Sequence, residues 1–156
     1  DRGSYTSSTQ SYYFNGEEYD SIRSYAYNAS KWMVDGIYTD PYTGEAISIE
    51  STDYDHIIPL HYANMHGAEE WADAAKREYA DDPFVGVVVN SGDNRAKGDK
   101  GPSEWLPEEN VEDYCYTWLV IAAEYDLSMD SDDMETIKRE LNGVPESELQ
   151  RINLYN

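Results

Sequence analysis

Two short segments carry side chains that could do acid–base and phosphate chemistry together. They are Asp55-His56-Ile57-Ile58-Pro59-Leu60 and Asp93-Asn94-Arg95-Ala96-Lys97-Gly98-Asp99-Lys100. A hard divalent cation prefers oxygen ligands and keeps open positions for water and phosphate. The Asp55 carboxylate and the Asn94 amide oxygen are such ligands, and a cation held there would polarise a phosphate and stabilise a leaving oxygen. His56, whose imidazole type titrates near pH ~6.5, suits a general base that takes a proton from attacking water. Arg95 and Lys97 supply phosphate contacts that read no base sequence. Each residue also has a plainer role open to it. Asp55 and His56 could be a solvated strand end, Asn94 a helix N-cap using its own side-chain oxygen, and Lys97 a surface lysine.

These side chains meet only if the chain folds as strand, excursion, strand, helix. The β-prone run Tyr54 to Ile58 stops at Pro59, and Phe84 to Val89 is a β-branched run that suits a buried strand. Asp93 is placed to cap a helix starting near Asn94, limited by Gly101-Pro102 and Pro107. Folding the two strands into a hairpin puts Asp55, His56 and Asn94 side by side. Elsewhere, Tyr19, Ile22, Ala26, Ala29 and Met33 give an apolar stripe for a helix of about 17 residues, with Gly36 ending it. Asp40-Pro41-Tyr42-Thr43-Gly44 is turn chemistry, and Ala46 to Ile49 alternates as a short strand. Ala68, Trp71, Ala72, Ala75 and Tyr79 predict a helix broken by Asp82-Pro83. Two further helices follow, over about Val111 to Tyr125 and beyond Asp130 or Ser131 through Leu141, with Gly143 past the end. His61 and His66 read as surface or loop residues, and Trp71 and Trp105 as core anchors. Residues 1–16 read as a loose arm and 17–156 as one domain, with the motif core at 53–107. The expected class is α+β with few strands.

Composition narrows the function. The chain has 156 residues, with 32 Asp and Glu against 11 Lys and Arg and a net charge of −21. Fifteen Tyr and four Trp exclude a mostly disordered acidic chain. No apolar run approaches the roughly 20 residues of a membrane span. The single Cys115 cannot form an internal disulfide or a Cys-based zinc site, and reads as a buried thiol. The chain opens on Asp1, as expected where a leader or upstream domain has been removed. A broad basic surface for nucleic acid is excluded. Yet the charge is uneven: residues 1–75 carry a net −10 and residues 101–156 a net −11, while residues 76–100 hold five acids and five bases. The neutral stretch is the one that carries the second segment.

At these residues the chain resembles the HNH nucleases of the ββα-metal group. More narrowly, it resembles the HNH-type domain of the Gmr-type restriction endonuclease C-terminal family, often found as small secreted bacterial proteins. The stretches DHIIPLHYANMHGAEEW, DDPFVGVVVNSGDNRAKGDKGPSEWLP and YCYTWLVIAAEYDLS carry the likeness, which spans about Asp53 to Leu141. The resemblance implies a ββα-metal hairpin and helix embedded in a mainly helical domain. It implies His56 as general base, Asp55 and Asn94 as ligands of one Mg²⁺ or Mn²⁺, and Lys97 close to the reacting phosphate. Arg95, Lys100 and Arg77 are the candidate substrate-binding cations. Val85-Gly86 stands where the family commonly has an Asn-Leu that orients the catalytic histidine, so either that hydrogen bond falls to a backbone carbonyl or another side chain, or activity is reduced. The stretch Asp40 to Gly44 lacks the Cys and Arg of the secreted relatives, leaving Arg77 or Arg23 to replace the arginine.

The expectation is therefore a metal-dependent endonuclease acting on nucleic acid, DNA favoured, with low sequence specificity. A monomer with no membrane partner, secreted or at the bacterial cell surface, is expected. The alternative is a catalytically weak or inactive nuclease-fold protein that binds or inhibits a partner through its acidic surface. For the nuclease, few phosphate contacts predict weak affinity and a shallow salt dependence. A binding titration across salt concentrations checks this, and a log–log slope of about −9, the value ten contacts would give, would contradict it.

Overall fold

Two dipeptides shape the first third of the chain. Asn15-Gly16 and Asp35-Gly36 both have positive φ at each residue (50° and 79°, 51° and 79°). That is the backbone of a type I′ turn, whose twist matches paired strands. Each closes an antiparallel hairpin: β1 (Tyr12–Phe14) with β2 (Glu17–Tyr19), and β3 (Met33–Val34) with β4 (Ile37–Tyr38). The structure is a computed structural model that describes residues 12–145 and 147–148. It corrects two expectations. Residues 12–16 are half of a hairpin, while the rest of the expected arm lies outside the described residues, as does most of the tail from 145. The expected long helix is only α1 (Ile22–Ala29), capped by Ser21, whose Oγ accepts from the Ser24 amide at 3.1 Å. Gly36 turns a hairpin and ends no helix.

β5 (Thr52–His56) and β6 (Gly86–Asn90) pair antiparallel, with Thr52 opposite Asn90 and His56 opposite Gly86. Between them run α2 (Leu60–Met65), a 3₁₀ turn at Ala68–Glu70, and α3 (Asp73–Asp81). β6 is buried over Gly86 to Val89, which accounts for its unbroken β-branched run. α4 (Ser91–Lys97) follows with no loop, because Asn90 ends the strand and caps the helix: its Oδ1 accepts from the Asp93 amide at 2.7 Å. Asn90, and not Asp93, is thus the cap, and Asn94 lies inside the helix. The strand expected at Ala46 to Ile49 is reduced to one bridge, Thr39 with Ala46, before a 3₁₀ turn at Ile49–Ser51.

α5 (Val111–Glu124) and α6 (Ser131–Leu141) pack against each other. Trp118, Ile121 and Cys115 of α5 and Ile137 of α6 join Ile57, Ile58, Tyr79, Val85, Val87 and Val89 in one buried cluster. Trp71, edge-on to Tyr79, and Trp105, beside Tyr42 and Tyr114, pack against that cluster as expected. Asp133, 3 % exposed, ties three elements together. It accepts from the Ser103 amide and hydroxyl at 2.9 and 2.7 Å and from the Tyr62 hydroxyl at 2.7 Å. The described residues form an α+β arrangement of six helices and three two-stranded sheets. No described helix is long and apolar enough to cross a membrane.

Cys115 is fully buried, and burial pushes its thiol up to about 12. The unfolded thiol ionises first, so this group's contribution to stability is intact at neutral pH and falls as pH rises from about 9 toward 12. A thiol-labelling assay at pH 8 should give negligible modification of the native protein and complete modification in denaturant. Fast labelling without denaturant would place the thiol at the surface.

Candidate functional site

Alternation along β5 sends Asp53 and Asp55 toward α4, and Tyr54 and His56 toward α3. Asp55 is 4 % exposed and bonded on both of its oxygens. Its Oδ2 accepts from the Tyr42 hydroxyl at 2.5 Å and from Lys97 Nζ at 3.0 Å, and its Oδ1 accepts from Lys97 Nζ at 3.1 Å. Lys97, in the last turn of α4, has no exposed surface. Its ammonium also donates to the carbonyls of His56 and Ile57, both at 2.8 Å, and sits 5.6 Å from the centre of the Tyr114 ring. Burial holds the Lys97 ammonium below its ordinary range, with Asp55 opposing that shift. Burial first, then the Asp55 charge, push the Tyr42 phenol well above its own, so Tyr42 is a neutral donor.

His56 is held from the other side. Its Nε2 lies 2.8 Å from the Ala80 carbonyl oxygen at the end of α3. A carbonyl only accepts, so Nε2 carries the proton and Nδ1 the lone pair in the neutral ring. The Tyr54 ring stands edge-on to the imidazole, 5.3 Å away at 88°, and the Tyr54 hydroxyl donates to the Asp82 carbonyl at 3.1 Å. Gly86 makes room for this ring: a Cβ there would lie 2.1 Å from Tyr54 Cζ. The departure from Asn-Leu at Val85-Gly86 thus has a physical counterpart. A backbone carbonyl orients the histidine, and the glycine admits the aromatic ring that packs on it.

A cleft of about 470 Å³ opens along these groups, lined by Asp53, Tyr54, Asp55, His56, Pro59, Leu60, Asn94, Arg95, Gly98 and Asp99. Asn94 Nδ2 donates to Asp53 Oδ2 at 3.1 Å, which leaves the N-cap role to Asn90. Asp55, His56, Asn94 and Arg95 are therefore brought together, as the two segments predict. Other candidates are elsewhere. Lys97 is sealed beneath the cleft and has no surface with which to touch a phosphate. Lys100 is exposed, and its ammonium donates to the Ala96 carbonyl at 2.8 Å. Arg77 is exposed on α3 and is not part of the cleft lining. Arg23 donates to the carbonyls of Ile49 and Thr52, tying α1 to the start of β5. His66 stacks on Tyr62 and bonds to the Tyr62 carbonyl and Asp130, and His61 lies on α2; neither lines the cleft.

The fit to a divalent cation is poor on the expected ligands. Both Asp55 oxygens already accept from a fixed ammonium, and Mg²⁺ would demand oxygens at about 2.1 Å in octahedral array. The cleft's remaining oxygen donors are Asp53, Asn94 and Asp99. Among the described residues no group of three or more His, Cys, Asp and Glu gathers as a metal centre. The cleft is also not neutral, as the segment count suggests: Arg95 is its exposed cation, against Asp53 and Asp99. Sequence reasoning missed Asp53, Tyr54, Tyr42 and Ala80. The two-residue spacing of Asp53 and Asp55, and of Tyr54 and His56, was a signal for the first two. Nothing local marks Tyr42 or Ala80.

The buried pair has a measurable consequence. Lys97→Met takes the ammonium away from the buried Asp55 carboxylate, and should destabilise the protein by about 3–5 kcal/mol in urea titration. Adding Asp55→Asn removes the carboxylate's charge and should restore most of that loss. A single-variant loss under about 1 kcal/mol, the range of exposed pairs, would mean that the pair is open to solvent.

No family model matches the chain, and no solved structure matches it significantly. Among curated proteins, a protein of Arthroderma benhamiae described as an uncharacterized secreted protein is 32 % identical over 115 residues, covering 69 % of this chain and 55 % of that protein. The chain spans about half the length of the curated relative it matches.

Proposed function

We propose that the protein is a hydrolase of nucleic-acid phosphodiester bonds, of the HNH type, with His56 as its general base. One observation carries the reading: a histidine whose tautomer is set by the Ala80 carbonyl lines an open cleft beside Asn94 and Arg95. In the reaction, water adds to phosphorus, its proton passes to the imidazole, the P–O bond to the leaving oxygen breaks, and that oxygen takes a proton from solvent water to leave as an alcohol. Arg95 is the group in the cleft that can face the anionic oxygens. The antiparallel strand pair followed directly by α4 supports a ββα arrangement, since it sets the Asp-His strand against the Asn-bearing helix. The sequence expectation of Mg²⁺ or Mn²⁺ on Asp55 and Asn94 is not carried forward, because Asp55 is committed to Lys97 and Tyr42. DNA is the favoured substrate. The relative's description supports a secreted or cell-surface location, and the proposal extends to no particular source.

A second reading has its own observation. With Lys97 buried and acids outnumbering Arg95 around the cleft, the protein could have the architecture of a nuclease and act by binding a basic partner. One experiment separates the two. Supercoiled plasmid at low salt is incubated with the protein, in Mg²⁺, in Mn²⁺ and with a chelator, beside His56→Ala. The hydrolase reading expects nicking that falls by about 100-fold or more in the variant, the range of general-base contributions. Equal nicking by His56→Ala removes the assignment of the base. No nicking under any condition favours the binding reading.

A further inference from the structure

We propose that Lys97 is the resident cation of this centre, occupying on Asp55 the position that a divalent ion would need. The inference goes beyond the proposed reaction and stands on the geometry of the buried pair alone. Four oxygens converge on one atom, Lys97 Nζ: both oxygens of Asp55 at 3.0 and 3.1 Å, and the carbonyls of His56 and Ile57 at 2.8 Å. That is the shell of a coordinated cation, with a bidentate carboxylate and two carbonyls, at distances that suit an ammonium donor. They are too long for Mg²⁺, at about 2.1 Å, or Ca²⁺, at about 2.3–2.6 Å.

The two cations exclude one another. A divalent ion on Asp55 would stand within a few ångströms of a fixed positive charge, where like charges repel strongly. Lys97 cannot swing aside cheaply, because it is fully buried with the Tyr114 ring beside it. Tyr42 adds its hydroxyl to Lys97 on Oδ2, which leaves Oδ1 with Lys97 as its partner. Asp55 therefore takes a divalent ion only when the lysine is removed. The fixed charge also reaches the histidine: the carbonyl that Lys97 holds belongs to His56, so the ammonium positions the backbone from which that imidazole projects.

Two measurements test this. In ¹⁵N-labelled wild-type protein, a buried ammonium held by four oxygens exchanges slowly and should give a side-chain NMR signal that Mg²⁺ leaves in place. Loss or displacement of that signal on adding Mg²⁺ overturns the proposal. Independently, bound Mn²⁺ is counted by electron paramagnetic resonance, which needs no cleavage activity. Wild type and Asp55→Asn should bind the same number of ions, held diffusely by the acidic surface. Lys97→Ala should gain one more, and Lys97→Ala with Asp55→Asn should lose it again. Loss of a bound ion in Asp55→Asn alone, or no gain in folded Lys97→Ala, overturns it. Should the variants fail to fold, the wild-type ammonium signal decides.

Discussion

The Lys97–Asp55 pair is the constraint on which the rest of the centre depends. Removing two charges from water costs several kcal/mol each, and a pair about 3 Å apart recovers a similar amount at the effective dielectric of protein. The pair therefore adds little net stability. It acts instead as a condition: once either charge is buried, the other must be buried with it, in one geometry. That geometry sets the distance from α4 to β5. It also fixes the turn after β5, since the His56 and Ile57 carbonyls are bonded to the same ammonium.

The surrounding elements are arranged to meet that condition. Asn90 ends β6 and starts α4 without an intervening loop, so the phase of the helix is inherited from the strand. Asp40 secures the junction, accepting from Asn90 Nδ2 at 2.7 Å. The same turn that carries Asp40 carries Tyr42, whose hydroxyl donates to the Asp55 carboxylate. The Asp40 to Gly44 turn thus supplies one carboxylate that fixes α4 and one phenol that bonds Asp55. An acidic chain has reason to build such a device, because a bare buried carboxylate would be driven to protonate.

The parts legible in the sequence were those that local pattern determines. The β-branched run of β6, the apolar face of α5 and the start and stop of α6 are all within a few residues of their expected places. Asp55, His56 and Asn94 come together because a strand pair followed by a helix leaves them few alternatives. The hairpins at Asn15-Gly16 and Asp35-Gly36 depart from the expected arm and helix although their turn signals are strong. Apolar residues three and four apart from Tyr19 to Met33 fit a helical stripe as well as they fit strand and helix in succession. Lys97 departs from its expected place for a different reason. Its partner is 42 residues away, and whether a lysine faces a phosphate or a buried carboxylate depends on packing that no local spacing encodes. Counting charge by segment failed in the same way, because a buried, paired lysine contributes almost nothing to the field in the cleft.

His56 is held by two separate constraints. Its backbone carbonyl is fixed by Lys97 from the α4 side, and its ring by the Ala80 carbonyl and the Tyr54 edge from the α3 side. Neither alone would be enough. A backbone hydrogen bond leaves the ring free to rotate, and a ring hydrogen bond lets the imidazole follow any drift of the strand. Together they fix the ring from two elements joined through the core, which places the lone pair without a side-chain amide to orient it. Gly86 is the condition for the second constraint, since any Cβ there would expel the Tyr54 ring. The position that departs most from the expected pattern is therefore the one that lets this chain hold its histidine by different means.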